Sequence, residues 1–296
     1  MRACVIFNPA AQGNKAGRFR RWLAGLEADC ALKPTASPGA ARALAAEAVN
    51  DGFNTIVAAG GDGTVNEVLN GVGDAPEGYQ RARLAVLPLG TVNVFAKELK
   101  MPAAIPRAWA AIRAGREIRI DLPFVDFQRD GRPVRRYFAQ LAGAGLDARA
   151  IELVSWELKK KVGPLSYVAA GLRAMGESLP LIQFKAGTQA GSGQLILLGN
   201  GRLYGGRFKV FPQADLSDGK LDVCVFPKVN WPTLLHCGTM LLATSVLPGS
   251  HAQHLTADSL ELSGPPGTPF EVDGELCGHL PATFGLEPGK LRVIAP

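Results

Sequence analysis

The sequence predicts an α/β domain built on a parallel sheet, followed by a β-rich antiparallel domain with attached helices. Three observations carry this reading. Residues 1–121 alternate short apolar runs with helical stretches, as parallel strands joined by crossover helices require. Two of the apolar runs end in glycine turns that open helices, Gly60-Gly61-Asp62-Gly63-Thr64 and Pro88-Leu89-Gly90-Thr91. After Arg116 the pattern changes to short alternating runs punctuated by turn residues, the mark of antiparallel pairing. The boundary falls near Asp121. Residues 1–121 form the first domain and 122–285 the second, with a last strand, about 286–296, expected to return to the first.

The elements follow in order. Cys4–Phe7 is an apolar strand that runs into Asn8-Pro9 and a polar, glycine-bearing loop flanked by Lys15 and Arg18. A helix through Phe19, Leu23 and Leu26 leads to a short strand at Cys30–Leu32. Thr35-Ala-Ser-Pro-Gly39 is a turn that opens an alanine-rich helix over 40–51. Ile56–Ala59 is an apolar run of the kind a strand covered on both faces needs. The helix beyond it repeats apolar residues at Val65, Val68, Leu69 and Val72, with Thr64 placed to cap it. Arg83–Leu87 enters the second glycine turn, and a helix over 107–114 ends at Gly115. In the second half, strands are expected at 117–121, 124–127, 135–142, 181–186, 194–199, 221–226, 259–263, 270–272 and 291–294. Arg129-Asp-Gly-Arg-Pro133 reads as a hairpin turn. Helices are expected over 148–177 and near Trp231–Leu247, the latter apolar enough to read as core, with a part available to line an acyl pocket.

Composition narrows the class. A chain of 296 residues with 47% hydrophobic content and 35 glycines suits a turn-rich α/β protein and argues against disorder. Its five cysteines are scattered without a C-x-x-C pair, which argues against a disulfide or zinc framework and for reduced thiols. No secretory signal or bilayer-spanning run is evident, so a cytoplasmic location is expected. The formal charge of +6 favours an anionic partner, and no nucleic-acid motif accompanies it. His236, His251 and His254 lack metal-ligand spacing.

The chemistry concentrates at the first glycine turn. Glycines let the main chain approach a ligand, and a helix N-terminus offers free N–H groups and a positive dipole end to phosphate. Asp62 beside a phosphate would repel it unless a cation intervened. The combination points to phosphate with magnesium, or to a carboxylate that activates an incoming hydroxyl. Val272-Asp-Gly-Glu275 is open to two readings, a hairpin turn and a catalytic turn. Asp218-Gly219 shares that ambiguity, as turn and as metal loop. Trp156-Glu-Leu-Lys-Lys-Lys-Val162 is a solvated helix face or a contact for anionic headgroups.

Taken together, Gly60-Gly-Asp-Gly-Thr-Val-Asn66, Pro88-Leu-Gly-Thr-Val-Asn93, Asp215-Leu-Ser-Asp-Gly-Lys-Leu-Asp222 and Val272-Asp-Gly-Glu275 resemble the diacylglycerol kinase and sphingosine kinase group. The likeness is greatest to the soluble bacterial lipid kinases and covers nearly the whole chain. It implies a Rossmann-like first domain of the NAD kinase and diacylglycerol kinase type, ATP and Mg2+ as cofactors, and an active site in the inter-domain cleft. The family's nucleotide contacts fall on Thr35, Gly61, Asp62, Gly63, Thr64, Val65, Asn66, Glu67 and Thr91, with Asn8, Gly60, Gly90 and Asn93 completing the turns. Its catalytic base falls on Glu275, with Asp273 and Asp62 as further catalytic candidates. A structural magnesium site falls on Asp215, Asp218 and Lys220, and Asp121 matches an acid near the nucleotide's magnesium. Similar diacylglycerol kinases carry an acid after Asn93, where this chain has Val94.

The resemblance thus implies a lipid kinase that phosphorylates a hydroxyl of diacylglycerol or a sphingoid- or ceramide-like alcohol. The lipid substrate would be met at the membrane surface through reversible peripheral contact, with no nucleic-acid partner and with a homodimer compatible. Two rivals share the turn: an NAD kinase, and a nucleotide- or lipid-binding regulator that has lost catalysis. A P-loop kinase is disfavoured because G-x-x-x-x-G-K-[ST] is absent from the sequence.

Overall fold

The computed structural model describes residues 1–9, 17, 19, 22, 30–153, 176 and 179–296. The expectations for Lys15, Arg18, the helix at Leu23 and Leu26, and the basic cluster Trp156–Val162 lie outside the described residues. So does most of the helix expected over 148–177, of which residues 148–153 and 176 are described. The chain divides into two compact units, residues 1–122 with 288–296, and residues 123–287.

The first unit contains β1 (Ala3–Phe7), β2 (Ala31–Pro34), α1 (Ala40–Asn50), β3 (Thr55–Gly60), α2 (Asp62–Asp74) and α3 (Gly78–Arg81). Then come β4 (Arg83–Pro88), α4 (Val94–Glu98), α5 (Ile105–Ala114) and the start of β5 (Glu117–Arg129). Its strands run parallel in the order β2-β1-β3-β4. β1 is buried throughout, as is β3 up to Gly60, which is why both read as unbroken apolar runs rather than alternating ones. From β1 the chain steps outward to β2 and then returns to β3 on the other side of β1. That reversal is a topological switch point, where open α/β sheets bind ligands beyond the carboxyl ends of their strands. α1 and α2 pack tightly: a Cβ on Gly71 would lie 2.1 Å from the Arg42 carbonyl oxygen.

The second unit holds the rest of β5, β6 (Arg132–Tyr137), β7 (Leu141–Gly145), α6 (Leu146–Leu153), β8 (Ile182–Ala186), β9 (Gln189–Gly193) and β10 (Leu195–Gly199). β11 (Leu203–Tyr204), β12 (Phe208–Lys209), β13 (Leu221–Phe226), α7 (Trp231–Thr244), β14 (Gln253–Ala257) and β15 (Ser259–Ser263) follow. β16 (Pro269–Val272), β17 (Glu275–His279) and β18 (Ala282–Ile294) close the chain. Residues 288–296, with the end of β18, belong to the first unit, where Val293 pairs in parallel with Leu84 of β4.

One antiparallel sheet runs β14-β13-β10-β7-β16-β17. β15 pairs antiparallel with both β8 and β18, and their inner faces share a core with the first sheet. Phe127, Phe138, Phe270 and Phe284 meet there edge to face. β10 shows why its sequence lacks alternation. Ile196 and Leu198 enter that core while Leu195 and Leu197 face a second cluster with α6 and α7, so both faces are covered.

Four expectations are corrected. The strands expected at 117–121 and 124–127 are one, because Pro123 continues the extended backbone and its carbonyl accepts from Phe138 N–H. The strand expected over 135–142 is two, for a reason given below. Thr64 is not the cap of α2: Gly61 occupies that place with Asp62 as the first helical residue. Finally, α7 is a core helix on one face only, where Cys237, Leu234 and Leu241 pack on the second cluster. Only Thr233 and Cys237 are buried, while Trp231, Leu235 and Leu242 are 54%, 71% and 67% exposed.

Candidate active site

Four strand ends of the first unit deliver the sequence motifs to one edge. β1 leads into Asn8 and β2 into Thr35, while β3 ends at Gly60 and β4 at Pro88. Thr35 N–H donates to the Phe7 carbonyl at 2.8 Å, tying the first two together. The glycine turns are joined as well. Leu89 and Gly90 donate their N–H groups to the Gly60 carbonyl at 3.0 and 3.2 Å. A Cβ on Gly90 would lie 2.5 Å from the Gly61 Cα, and one on Gly60 would lie 2.3 Å from Thr64 Oγ1. Gly90 therefore needs glycine for backbone contact and Gly60 for contact with the Thr64 side chain, independent of any ligand.

Asp62 connects the turns chemically. Its Oδ1 accepts from Phe95 N–H at 3.3 Å. Burial raises its pKa, opposed by the backbone N–H groups of Val94, Phe95 and Asn93 and more weakly by Lys97. The carboxylate of the first turn thus caps α4, the helix that follows the second turn. Asn93 adopts φ 53° and donates Nδ2–H to the Gly90 carbonyl at 2.6 Å. Its Oδ1 is buried without a hydrogen-bond partner. Thr91 is exposed at the tip.

Other expected nucleotide contacts have structural occupations. Glu67 accepts from Gly39 and Ala41 N–H at 2.9 and 3.0 Å. It thereby caps α1, whose own N-cap, Gly39, has no side chain to do so. Val65 is buried, and Asn66 is buried beside Asn70, whose Nδ2 donates to its carbonyl. Gly63 lies within the first turn of α2. Asp121 is buried and accepts from Gly289 N–H at 2.7 Å, holding the bend at φ 59° in β18. Among the described residues no group of three or more His, Cys, Asp or Glu side chains is poised to hold a metal.

In the second unit the Asp-Gly-Glu motif is a hairpin turn. Val272 pairs with Glu275, and Asp273 and Gly274 both take positive φ, 50° and 84°, as a two-residue type I′ turn requires. Glu275 is exposed at the start of β17. Asp273 is a clamp: its carboxylate accepts from Ala139, Gln140 and Leu141 N–H at 2.7, 2.9 and 3.2 Å. These three donors explain why the strand expected over 135–142 breaks. Their N–H groups bind a side chain more than 130 residues away instead of a neighbouring strand.

The loop before β13 is acidic and turned on itself. Asp215 accepts from Ser217 N–H and Oγ at 2.9 and 2.8 Å, and Asp218 from Lys220 N–H at 3.0 Å. Asp222, which the sequence reading passed over, is pushed up to about 6 by burial and then by the charge of Asp218. Also missed were Asp147, Glu271 and Tyr204, which meet behind the hairpin, Glu271 buried and the other two half-buried. Glu271 lies between Phe270 and Val272, and a lone acid inside an apolar strand was the signal available for it.

Comparison with known proteins decides among the readings. Residues 2–125 match the family model described as the diacylglycerol kinase catalytic domain. Residues 140–295 match the YegS C-terminal NAD kinase beta sandwich-like domain. The diacylglycerol kinase of Staphylococcus carnosus (strain TM300) is 31% identical over 300 residues, covering 96% of this chain and 91% of its own. The chain belongs to the diacylglycerol kinase family. A second family member, from Staphylococcus saprophyticus subsp. saprophyticus, is 31% identical over 312 residues, all of this chain and 95% of its own. Among solved structures, a diacylglycerol kinase from Bacillus anthracis str. Sterne shares the fold with a TM-score of 0.72 at 22% identity, covering all of this chain and 97% of its own. Membership of this family makes the protein a lipid kinase. Its architecture is the expected one, a largely parallel α/β unit followed by an antiparallel β-rich one.

Proposed function

We propose that this family member transfers the γ-phosphate of ATP to a hydroxyl of a membrane lipid, diacylglycerol or a sphingoid- or ceramide-like alcohol, with Mg2+. The observation that carries the proposal is the joining of two glycine turns, each opening a helix, at the switch point of the parallel sheet. Gly60–Thr64 and Gly90–Thr91 offer N–H groups to the phosphates, and the unpartnered Oδ1 of Asn93 accepts from a donor on the nucleotide. Asp62, desolvated with a raised pKa, is suited to take a proton or to face a metal-bound phosphate. Glu275, exposed on a rigid I′ turn, is the general base for the lipid hydroxyl. When bound with ATP, magnesium screens the phosphate charge, and such an ion needs only one or two protein carboxylates.

Incubation with labelled ATP, Mg2+ and a total lipid extract tests the reaction, with label expected in a phosphorylated lipid. Label on NAD instead would make the protein an NAD kinase. The regulator reading is favoured by Val94, which is buried at the first position of α4 and leaves Asp62 without an acidic neighbour there. ATP binding with no turnover on any lipid would support it.

The loop 215–222 fits a structural magnesium ion by its chemistry. Its donors are all oxygen, as a hard cation prefers, and the charge of Asp218 disfavours ionisation of Asp222 in a way that a cation would relieve. Asp215, Asp218 and the Lys220 carbonyl would hold it. Saturating Mg2+ is expected to raise Tm by a few degrees in the native protein and not in Asp218→Asn. Equal shifts in both proteins would remove the ion from this loop.

The same reading places the enzyme in the cytoplasm, in reversible contact with the membrane. No helix among the described residues is long and apolar enough to cross a bilayer. α7 supports surface contact instead. It carries no charged residue, its exposed Trp231, Leu235 and Leu242 lie on one stripe, and exposed Lys228 and Lys209 lie near its two ends. An apolar stripe between basic ends fits an anionic headgroup surface. Leu235→Glu with Leu242→Glu removes two exposed side chains worth about 1.5 kcal/mol or more each on burial. Binding to vesicles containing anionic lipid is therefore expected to weaken by about tenfold or more, with turnover of a short-chain, water-soluble lipid retained. Unchanged vesicle binding would exclude α7 as the contact.

A further inference from the structure

Behind the Asp-Gly-Glu hairpin lies a pair of acids that the proposed reaction does not use. Asp147 lies in the first turn of α6, directly after β7, and Glu271 lies in β16, opposite Gly143 of β7. Glu271 is fully buried. Asp147 is half-buried as a residue, and its Oδ2 is sealed from solvent. Each carboxyl group has one oxygen with a donor: Tyr204 Oη–H to Asp147 Oδ1, and Gly274 N–H to Glu271 Oε2 at 2.7 Å.

The remaining oxygens, Asp147 Oδ2 and Glu271 Oε1, have no other hydrogen-bond donor. Both sit over Gly143, where a Cβ would come within 2.6 Å of the first and 3.1 Å of the second. Two bare acceptor oxygens cannot stay side by side in a dry interior, since each would forfeit its hydrogen bond and both charges would go unscreened. A single proton between them resolves both problems.

We infer that Asp147 and Glu271 share one proton between Oδ2 and Oε1, and that this link positions the Asp273–Gly274–Glu275 turn. The chain of bonds runs from Tyr204 on β11 through Asp147 and Glu271 to the Gly274 N–H, one residue before Glu275. The two acids are therefore positioning residues, and their effect on catalysis rests on the reading of Glu275 as general base. Among the described residues, the groups facing the pair are Tyr204, the Gly274 N–H and, more distantly, the charge of Asp273. None of these is a cation that could replace the proton. Burial raises both acids, and for Glu271 the charge of Asp147 adds to it. The native protein thus keeps a proton that the unfolded chain releases in the ordinary carboxylate range. Stability from the link is complete below that range and is lost as pH rises through the pair's own, higher value.

Infrared spectroscopy and kinetics on Glu271→Gln, Asp147→Asn and Glu271→Leu test this. The native protein is expected to show a protonated-carboxyl band at neutral pH that both amide variants lack. In Glu271→Gln the amide donates to Asp147 and still accepts from Gly274. It should keep kcat within a few-fold of native and lose the alkaline fall in activity. Glu271→Leu fills the space without accepting from Gly274. It should lower kcat about 100-fold, as a misplaced base does, with KM for ATP unchanged. A carboxyl band that persists in both amide variants, or an alkaline limb in Glu271→Gln identical to the native one, overturns the inference. The infrared result is independent of turnover, so it stands apart from the role of Glu275. Full activity in Glu275→Gln would overturn the general-base reading while leaving the shared proton to be judged by its band.

Discussion

Asp62→Asn is expected to lower kcat/KM for lipid phosphorylation by about a thousandfold while leaving a folded protein. The carboxylate is the one acid carried on the joined glycine turns, and it is partly stripped of water. A proton acceptor or metal-facing charge in such a place contributes on the order of 10²–10⁴ in rate. The asparagine keeps an oxygen for Phe95 N–H, so the cap on α4 survives in part. The stability cost should stay near 1 kcal/mol, a shift of a few degrees in Tm. Kinetics and a thermal scan on the same preparation separate the two effects. A rate within tenfold of native would show that Asp62 is only a cap.

Asp273→Ala is expected to be the most destabilising substitution in the second unit. It strands the N–H groups of Ala139, Gln140 and Leu141, all three residues buried. Each orphaned donor costs about 1–3 kcal/mol, so a loss of about 3 kcal/mol or more is expected, a large share of an ordinary domain's stability. Tm should fall by about 6–12 °C. Asp273→Asn keeps an acceptor oxygen and a residue that tolerates φ 50°, so it should recover much of the loss and keep kcat within a few-fold. If Asp273→Asn instead abolished activity with Tm unchanged, Asp273 would belong to the reaction and not only to the clamp.

These two acids show where a sequence informs and where it stops. β1, β3 and β4 were legible because burial on both faces writes itself as continuous apolar runs, and the glycine turns because the close approaches at Gly60 and Gly90 admit no other residue. The Asp130-Gly131 hairpin was legible for its turn chemistry. β9 and β17 were not, since Gln189–Gly193 and Glu275–His279 carry glycine and polar residues and take their register from partners. The break at 138–140 was invisible because its cause, Asp273, is remote in sequence. The pairing of Asp147 with Glu271 was hidden for the same reason. α7 misled in part: it packs on a cluster through Cys237, Leu234 and Leu241, whereas a second apolar stripe faces outward.

The account stands on a magnesium-bound triphosphate held by the two glycine turns. A crystal structure with Mg2+ and a non-hydrolysable ATP analogue tests this most directly. The β- and γ-phosphates are expected within hydrogen-bonding distance of the N–H groups of residues 60–64 and 90–91, with Asp62 facing the metal or the transferred phosphate. A nucleotide bound elsewhere, with those N–H groups still facing solvent, would contradict it.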